Sequence, residues 1–432
     1  MEGKKVVFLV RSSHVQGGTT VNDSLETKVG AIVARLLAWI KEILSDAMFM
    51  DDAESAAEME VRVREGGRVL LAQLLELAFN IAAEKKAAAS RRCACQKLRR
   101  HKGKRERTVV SSLGPIKLRG ILFACATCKL TVGPFEQLTA GFFTVEMERL
   151  LALMGTALAS FEKAKEFAAR ALGVKVSADS VAKVCRRLGR GAAAAATCEP
   201  FENGDSIEAS MDGTMVNTRG EGWRELKVFR FEGERGVAGG ASLERVDRFE
   251  EEVARTARAL NVEAKRTVFV TDAAAWIDRI VRERFPLALH IVDLWHACQH
   301  IHAAAKAMFG DVSEEAKTWA SRWCGDLRAR GAGPVMLALT RLIGVTHNSE
   351  HQNELRKLWR FLRNNESKMD YPKYEEAGHS ISSGSMESQC KQVGSRLKGP
   401  GMRWNSSNVD PMATLVSHWQ LGTWDCVCKA AA

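Results

Sequence analysis

Residues 206–216 read SIEASMDGTMV, residues 223–232 WRELKVFRFE, residues 266–275 RTVFVTDAAA and residues 288–297 ALHIVDLWHA. Each is a short run rich in β-branched and aromatic residues. The second alternates polar and apolar positions, and the third is a continuous apolar run ending at an aspartate. Alternation predicts a half-covered strand and a continuous run predicts a buried one. Between them, 233–246 holds a glycine-rich turn and a weak third strand, 248–260 reads as a helix and 276–285 as another.

The order is a strand hairpin followed by strand–helix–strand. It predicts an α/β domain of ribonuclease H-like type. Asp212 and Asp272 close two of the strands, 272 − 212 = 60 residues apart, and neighbouring strands would bring both carboxylates to one sheet edge. Residues 297–379 read as almost wholly helical, an all-α insertion. The domain resumes at SSGSMESQCKQVGSRLKGPGMRWN (382–405), where Glu387 sits in a polar helix start. The catalytic domain is therefore expected over 205–296 and 380–428. Two cations held by three acids can activate the attacking oxygen and stabilise the leaving one on a phosphodiester. Hard oxygen ligands suit Mg²⁺ or Mn²⁺. Asp293 and His296, three apart where a strand becomes a helix, are candidates to support that centre, or a structural hydrogen bond at the strand end.

Ahead of this domain the chain changes character. Residues 1–90 read as a helical region, with mixed and poorly ordered sequence at the start. Residues 91–138 form a basic module. Residues 91–120 carry eleven Lys/Arg against one acid, Glu106. Cys93 and Cys95 precede Cys125 and Cys128 across an alternating, strand-like stretch, and four thiolates in two close pairs suit tetrahedral zinc. Arg99, Arg100, Lys102, Lys104 and Arg105 are its candidate DNA contacts. Residues 139–192 read as helical, with a helix ending at Leu172–Gly173. A second helix capped by Ser177 or Ser180 runs from Val181 to Leu188 and stops at Gly189. That pattern fits a helix-turn-helix, with Arg186 and Arg187 facing DNA. Lys391, Arg396, Lys398 and Arg403 form a further basic run, and Trp404 offers an aromatic platform for a DNA backbone or unpaired end.

The chain has 432 residues and a formal charge of +11. No run of 18–20 apolar residues is seen, so no membrane span is expected. Eleven cysteines, an odd number, argue against a disulfide framework, and the five-residue apolar run near the N-terminus is too short for a secretory signal, so a cytoplasmic protein is expected, nucleoid-associated through its basic module.

Taken together, MDGTMV…GWRELKV, TDAAAWI, HIVDLWHACQHI and GSMESQCKQVGSRLKGPGMRWN resemble DDE transposases of prokaryotic insertion sequences, in the ISKra-type group allied to the Mutator-like enzymes. The cysteine segment resembles the zinc-ribbon-like element that precedes the catalytic domain there. The likeness spans about residues 60–428, and TDAAAW departs from the more usual glycine after the aspartate. It implies that Asp212, Asp272 and Glu387 bind two catalytic metal ions, that Asp293 and His296 match a D-x-x-H element, and that the activity is cleavage of element ends and strand transfer. It also implies double-stranded DNA as partner and a homodimer or larger assembly on it. The alternatives are a ribonuclease H-like nuclease that does not join strands, and a non-catalytic DNA-binding protein.

Overall fold

A computed structural model describes residues 19–89, 91–135, 139–195, 200–202, 204, 206–234, 236–263 and 266–430. The chain is a mixed α/β protein with two mixed sheets, and it divides into two compact units. The first comprises 1–147 and 169–174, the second 148–168 and 175–432. Residues 1–18, part of the segment expected to be poorly ordered, lie outside the described residues, as does Cys198. Thr19 already begins a helix.

In the first unit, α1 (Thr19–Ala47) and α2 (Ala53–Ala89) precede β1 (Arg100–Ser111), β2 (Gly114–Ala124), β3 (Thr131–Val132), β4 (Thr139–Ala140) and β5 (Phe143–Thr144), in sheet order β3-β2-β1-β5-β4. The β1–β2 hairpin forms because VVSSLGPI supplies alternation on either side of a glycine turn, with Ser111 paired to Gly114. An exposed strand edge would invite pairing with another chain. Here α2 covers it: Asn80 accepts from the Arg119 N–H (2.7 Å) and donates to the Lys117 carbonyl (3.0 Å), while Glu76 accepts from the Lys117 N–H (2.9 Å). Ala83 packs with Val109, Ile116, Leu118 and Phe135 beneath. Contrary to the sequence expectation, α2 contains an 18-residue stretch that is apolar enough, by length and composition, to cross a membrane.

Helix α3 (Val145–Ala157) leads to α4 (Phe161–Leu172) and α5 (Ala178–Ala195). The Ser177 hydroxyl caps α5, accepting from the Ser180 N–H at 3.1 Å. Gly189 does not stop this helix. A Cβ there would lie 2.0 Å from the Pro411 carbonyl oxygen, so the glycine is where α5 crosses another backbone.

The second sheet comprises β6 (Ile207–Thr218), β7 (Gly222–Gly233), β8 (Gly236–Ser242), β9 (Thr267–Thr271) and β10 (Leu289–Val292), ordered β10-β9-β6-β7-β8. The pairs β6–β7 and β7–β8 are antiparallel; β6–β9 and β9–β10 are parallel. Side chains alternate between faces along a strand. Ile207, Ala209, Met211, Phe229, Phe231 and Phe269 meet α6 (Val246–Ala259) and α7 (Ala275–Arg284) through Phe249, Val253, Ile277 and Ile280. Burying each such side chain stabilises the domain by about 1.5–3 kcal/mol. Val268, Val270 and Ile291 pack with a helical array. It consists of α8 (Leu294–Phe309), α9 (Glu314–Arg330), α10 (Ala332–Val345), α11 (Ser349–Asn365) and α12 (Tyr371–Glu376). The chain then returns as α13 (Gly384–Leu397), α14 (Ser406–Gln420) and α15 (Trp424–Ala430).

Replacing Gly189 with alanine forces a contact with backbone, which cannot swing aside. Overpacking costs about 1–3 kcal/mol, and a 2.0 Å approach belongs at the upper end of that range. The gain of about 1 kcal/mol for alanine over glycine in a helix does not offset it. Gly189→Ala is expected to lower the unfolding free energy read from urea denaturation by a net ~1–2 kcal/mol; an unchanged or raised stability would contradict the close crossing.

Candidate functional site

The parallel pairing of β6 with β9 sets Ile207 beside Thr267, Glu208 beside Val268 and Ala209 beside Phe269, a constant offset of 60 residues. Carried forward, the same offset aligns Asp212 with Asp272. Asp212 is not the end of its strand: β6 runs on to Thr218, paired with β7 beyond the point where β9 stops. The strands part there, and the two aspartates flank the opening. Both are half-buried.

Asp212 accepts the Gly213 N–H at 2.6 Å, and Asp272 accepts the Ala274 N–H at 3.0 Å. Burial pushes both carboxyls above the usual carboxylate range despite these bonds. Each is also drawn down by the nearby His296, and Asp212 adds to the upward push on Asp272 by repulsion. The Cys390 thiol, from the second turn of α13, donates to Asp212, and its own pKa is raised, first by burial and then by that carboxylate. Cys390 was not singled out in the sequence; "ESQC" gives no local sign of it, because the contact depends on where α13 lands.

Asp293 plays a different part from its neighbours. It is 2% exposed and accepts four hydrogen bonds. Oδ1 takes the N–H groups of Trp295 (2.6 Å) and His296 (3.1 Å), capping α8, while Oδ2 takes the N–H and hydroxyl of Ser383, both at 2.5 Å. Ser383 is the residue that starts α13. Asp293 is therefore a positioning residue with no lone pair left for a ligand.

Glu387, in the first turn of α13, is exposed and paired with Lys391 at 2.9 Å. The structure thus brings together Asp212, Asp272, His296 and Cys390, with Asp293 as strut, and leaves Glu387 turned toward solvent. Among the described residues, the one group of three or more Cys, His, Asp or Glu side chains with donor atoms within 4.8 Å of one another is Cys93, Cys95, Cys125 and Cys128.

That cluster can hold one metal ion such as zinc. The Cys95 and Cys125 sulfurs are 3.6 Å apart, close to the ~3.8 Å edge of a tetrahedron with ~2.3 Å Zn–S bonds. Each pair sits on a tight turn: Gln96 N–H donates to Cys93 O, and Cys125 N–H to Leu130 O (both 2.9 Å). The residue after each pair, Gln96 (φ 69°) and Lys129 (φ 54°), is left-handed without being glycine. Such backbone strain persists only where the surroundings fix it. The Cys128 N–H lowers the Cys125 thiol to about 6, the Cys95 N–H lowers Cys93, and hydrogen bonding to Cys95 pushes Cys128 up to about 12. Cys125 is thus poised to be a thiolate, the form that binds metal, and Cys93 is shifted in the same direction.

Among the sequence-proposed DNA contacts, Arg100, Lys102, Lys104 and Arg105 are exposed on the β1–β2 hairpin. Arg99 is instead half-buried and donates to the Arg92 carbonyl at 2.9 Å. On α5, Arg187 is paired with the buried Glu148, and Arg186 donates to the Ala182 carbonyl at 3.2 Å with Asp179 nearby. Lys391 is held by Glu387, and the Lys398 ammonium bonds the Thr214 hydroxyl. Arg403 is exposed, but Arg396 is only 4% exposed and belongs to the interior. Trp404 donates through Nε1 to the Leu397 carbonyl at 3.0 Å, so its ring is fixed rather than free.

No protein-family model matches the chain, and no curated protein matches it in sequence.

Two measurements test these assignments. Purified protein is expected to carry one zinc ion per chain by mass spectrometry, lost in Cys93→Ser/Cys125→Ser and released on acidification as the thiolates protonate; four freely titrating thiols with no zinc uptake would refute the site. Asp293→Asn places an amide N–H₂ against one set of donors. It is expected to cost about 1–3 kcal/mol in urea unfolding, and a neutral result would show that Asp293 does not hold α13.

Proposed function

We propose that the chain is a DDE-type DNA transposase, cutting the ends of an insertion sequence and joining them to target DNA. The observation that carries this reading is the shared register of Asp212 and Asp272. Asp212 on β6 and Asp272, one residue past the end of the parallel strand β9, are both half-buried, and Asp212 repels Asp272; their raised pKa values are what an added positive charge would reverse. The sheet supports it too: an antiparallel meander β6-β7-β8 followed by helix-linked parallel strands β9 and β10 is the arrangement of a ribonuclease H-like domain. The helices α8–α12 fall between the second acid and the third, as an insertion would.

The donor set fits hard cations, since carboxylate oxygens are what Mg²⁺ and Mn²⁺ prefer. Asp212, Asp272 and Glu387 would hold two such ions, which when bound supply charge neutralisation and activation of the attacking oxygen. Glu387 has only an exposed partner in Lys391, and an exposed ion pair contributes little, so its carboxylate is free to be redirected. Gly213 and Ala274 N–H groups fix the two aspartates. His296, whose charge acts on both aspartates, would contact phosphate. In the first step water cleaves a phosphodiester and leaves a 3′-hydroxyl. In the second that oxygen forms a new bond to phosphorus in the target strand as the target's own 3′-oxygen departs with a proton.

A zinc ion on the cysteine cluster would fix the basic β1–β2 hairpin against double-stranded DNA through Arg100, Lys102, Lys104 and Arg105. Two element ends call for two copies of the chain. Val29, Val33, Leu37 and Leu44, exposed along α1, support association of copies through that helix. Such a protein works at the nucleoid in the cytoplasm.

The test is a cleavage and joining assay on labelled DNA carrying the sequences that flank the gene, with Mg²⁺ or Mn²⁺. Wild type is expected to give nicked and joined products, and Asp212→Asn or Asp272→Asn to lose about 10²–10³-fold or more in rate. Nicking without joining would make the protein a nuclease. Binding without cleavage in either metal would overturn the catalytic reading.

A further inference from the structure

A second site lies apart from the aspartates. The second unit contains a cleft of about 750 Å³, within the ~300–1,000 Å³ typical of ligand sites. Four arginines line it (Arg186, Arg219, Arg396 and Arg403), with Phe161, Met402 and Trp404 as apolar surface and Asn405 and Asn408 as polar groups. Two acids share the lining: Glu162 pairs with Lys165 at 2.9 Å, while Asp179 pairs with Lys183 at 2.6 Å and lies 3.8 Å from Arg186, so among the described residues Arg219, Arg396 and Arg403 are the guanidiniums with no acid in the cleft.

Arg396 is the unusual member. Its guanidinium lies over the Phe161 ring (4.6 Å to the centroid) and the Trp404 ring (5.4 Å), and Nε donates to the Gly155 carbonyl at 2.9 Å. Its Nη2 is buried with no hydrogen-bond partner. Among the described residues no carboxylate pairs with it. A buried cation without a counter-charge is costly, and its loss of hydration is repaid only by an anion or by well-placed acceptors. Aromatic faces supply part of that; the remainder leaves a positive field at the wall of the cleft. Arg219 and Arg403 are exposed at its rim.

We propose that this cleft holds the phosphodiester backbone of a single DNA strand, with a base laid against the Trp404 and Met402 surface. Phosphate is the anion that several convergent guanidiniums recognise best. Aromatic surface beside a basic groove is the general recipe for unpaired nucleic acid. The inference rests on the transposase reading for the identity of the strand as DNA; the anion site itself follows from the arginines alone.

The test measures binding of a 5′-phosphorylated tetrathymidylate to the full chain by fluorescence anisotropy. It is run without added Mg²⁺ or Mn²⁺, so that binding is read apart from cleavage. Arg396 is interior and its loss would disturb folding, so the exposed arginines carry the comparison. Arg219→Gln/Arg403→Gln is expected to weaken binding about tenfold at ~0.15 M salt and to lower the log K against log salt slope by about 1.4, at ~0.7 per phosphate contact on a single strand. Arg356→Gln/Arg360→Gln removes the same charge from the exposed surface of α11, which does not line the cleft, and is expected to change affinity less than about threefold. A tetranucleotide containing 5-iododeoxyuridine is expected to crosslink within residues 401–408. Equal losses in the two double variants, no binding by wild type, or crosslinks confined to other segments would overturn the proposal. Free thymidine monophosphate binding as tightly as the oligonucleotide would also overturn it, and would mark the cleft as a mononucleotide site.

Discussion

The carboxylate of Asp293 is the constraint on which the candidate centre depends. It follows β10 directly, caps α8 through one oxygen and grips the start of α13 through the other. These are charge-assisted bonds made out of water, about twice as strong as neutral ones. They matter because α13 is remote in sequence: the whole of α8–α12 intervenes between Asp293 and Ser383. Without the strut, nothing local would decide where Cys390 meets Asp212 or where Glu387 is presented. Leu294 N–H to Ile381 O (2.9 Å) and Tyr371 hydroxyl to Val292 O (3.0 Å) reinforce the same junction.

Given that junction, the electrostatics of the aspartates follow from backbone geometry. A parallel strand pair with a fixed offset places equal-numbered steps side by side, so two acids at the ends of equal steps are brought together whatever their side chains prefer. Their repulsion is an energetic debt of the fold, and sites that hold such a debt are where function is to be sought. The cysteine cluster, in the other unit, is the same argument with sulfur: left-handed Gln96 and Lys129 are tolerated because four thiols must converge.

Much of this could be read in the chain. The strands at 206–216, 223–232, 266–275 and 288–297 were legible because alternation and apolar runs are local signals, and the 60-residue spacing of the aspartates anticipated their register. The Cys pairs were legible from spacing alone. What was hidden was tertiary. β8 is GVAGGAS, with so little alternation that only a weak strand could be read there; it is a strand because β7 lies beside it. Gly189 looks like a helix stop in sequence but marks a helix crossing. Arg396 and Trp404 look like an open DNA-facing surface; they are instead set in the wall of a cleft, one buried and the other fixed, because the basic run folds back on Phe161 and Gly155. The exposure of Glu387 could not be read from a helix start that looked, in sequence, like that of a ligand.

The most direct test of the central claim, that the Asp212–Asp272 pair is a divalent-metal centre, is anomalous diffraction from crystals of the protein soaked in Mn²⁺. The account predicts an anomalous peak bonded to both aspartates, with Glu387 drawn from Lys391 toward it. Crystals in which Mn²⁺ is found only at other acidic positions, with both aspartates unliganded and protonated, would contradict it.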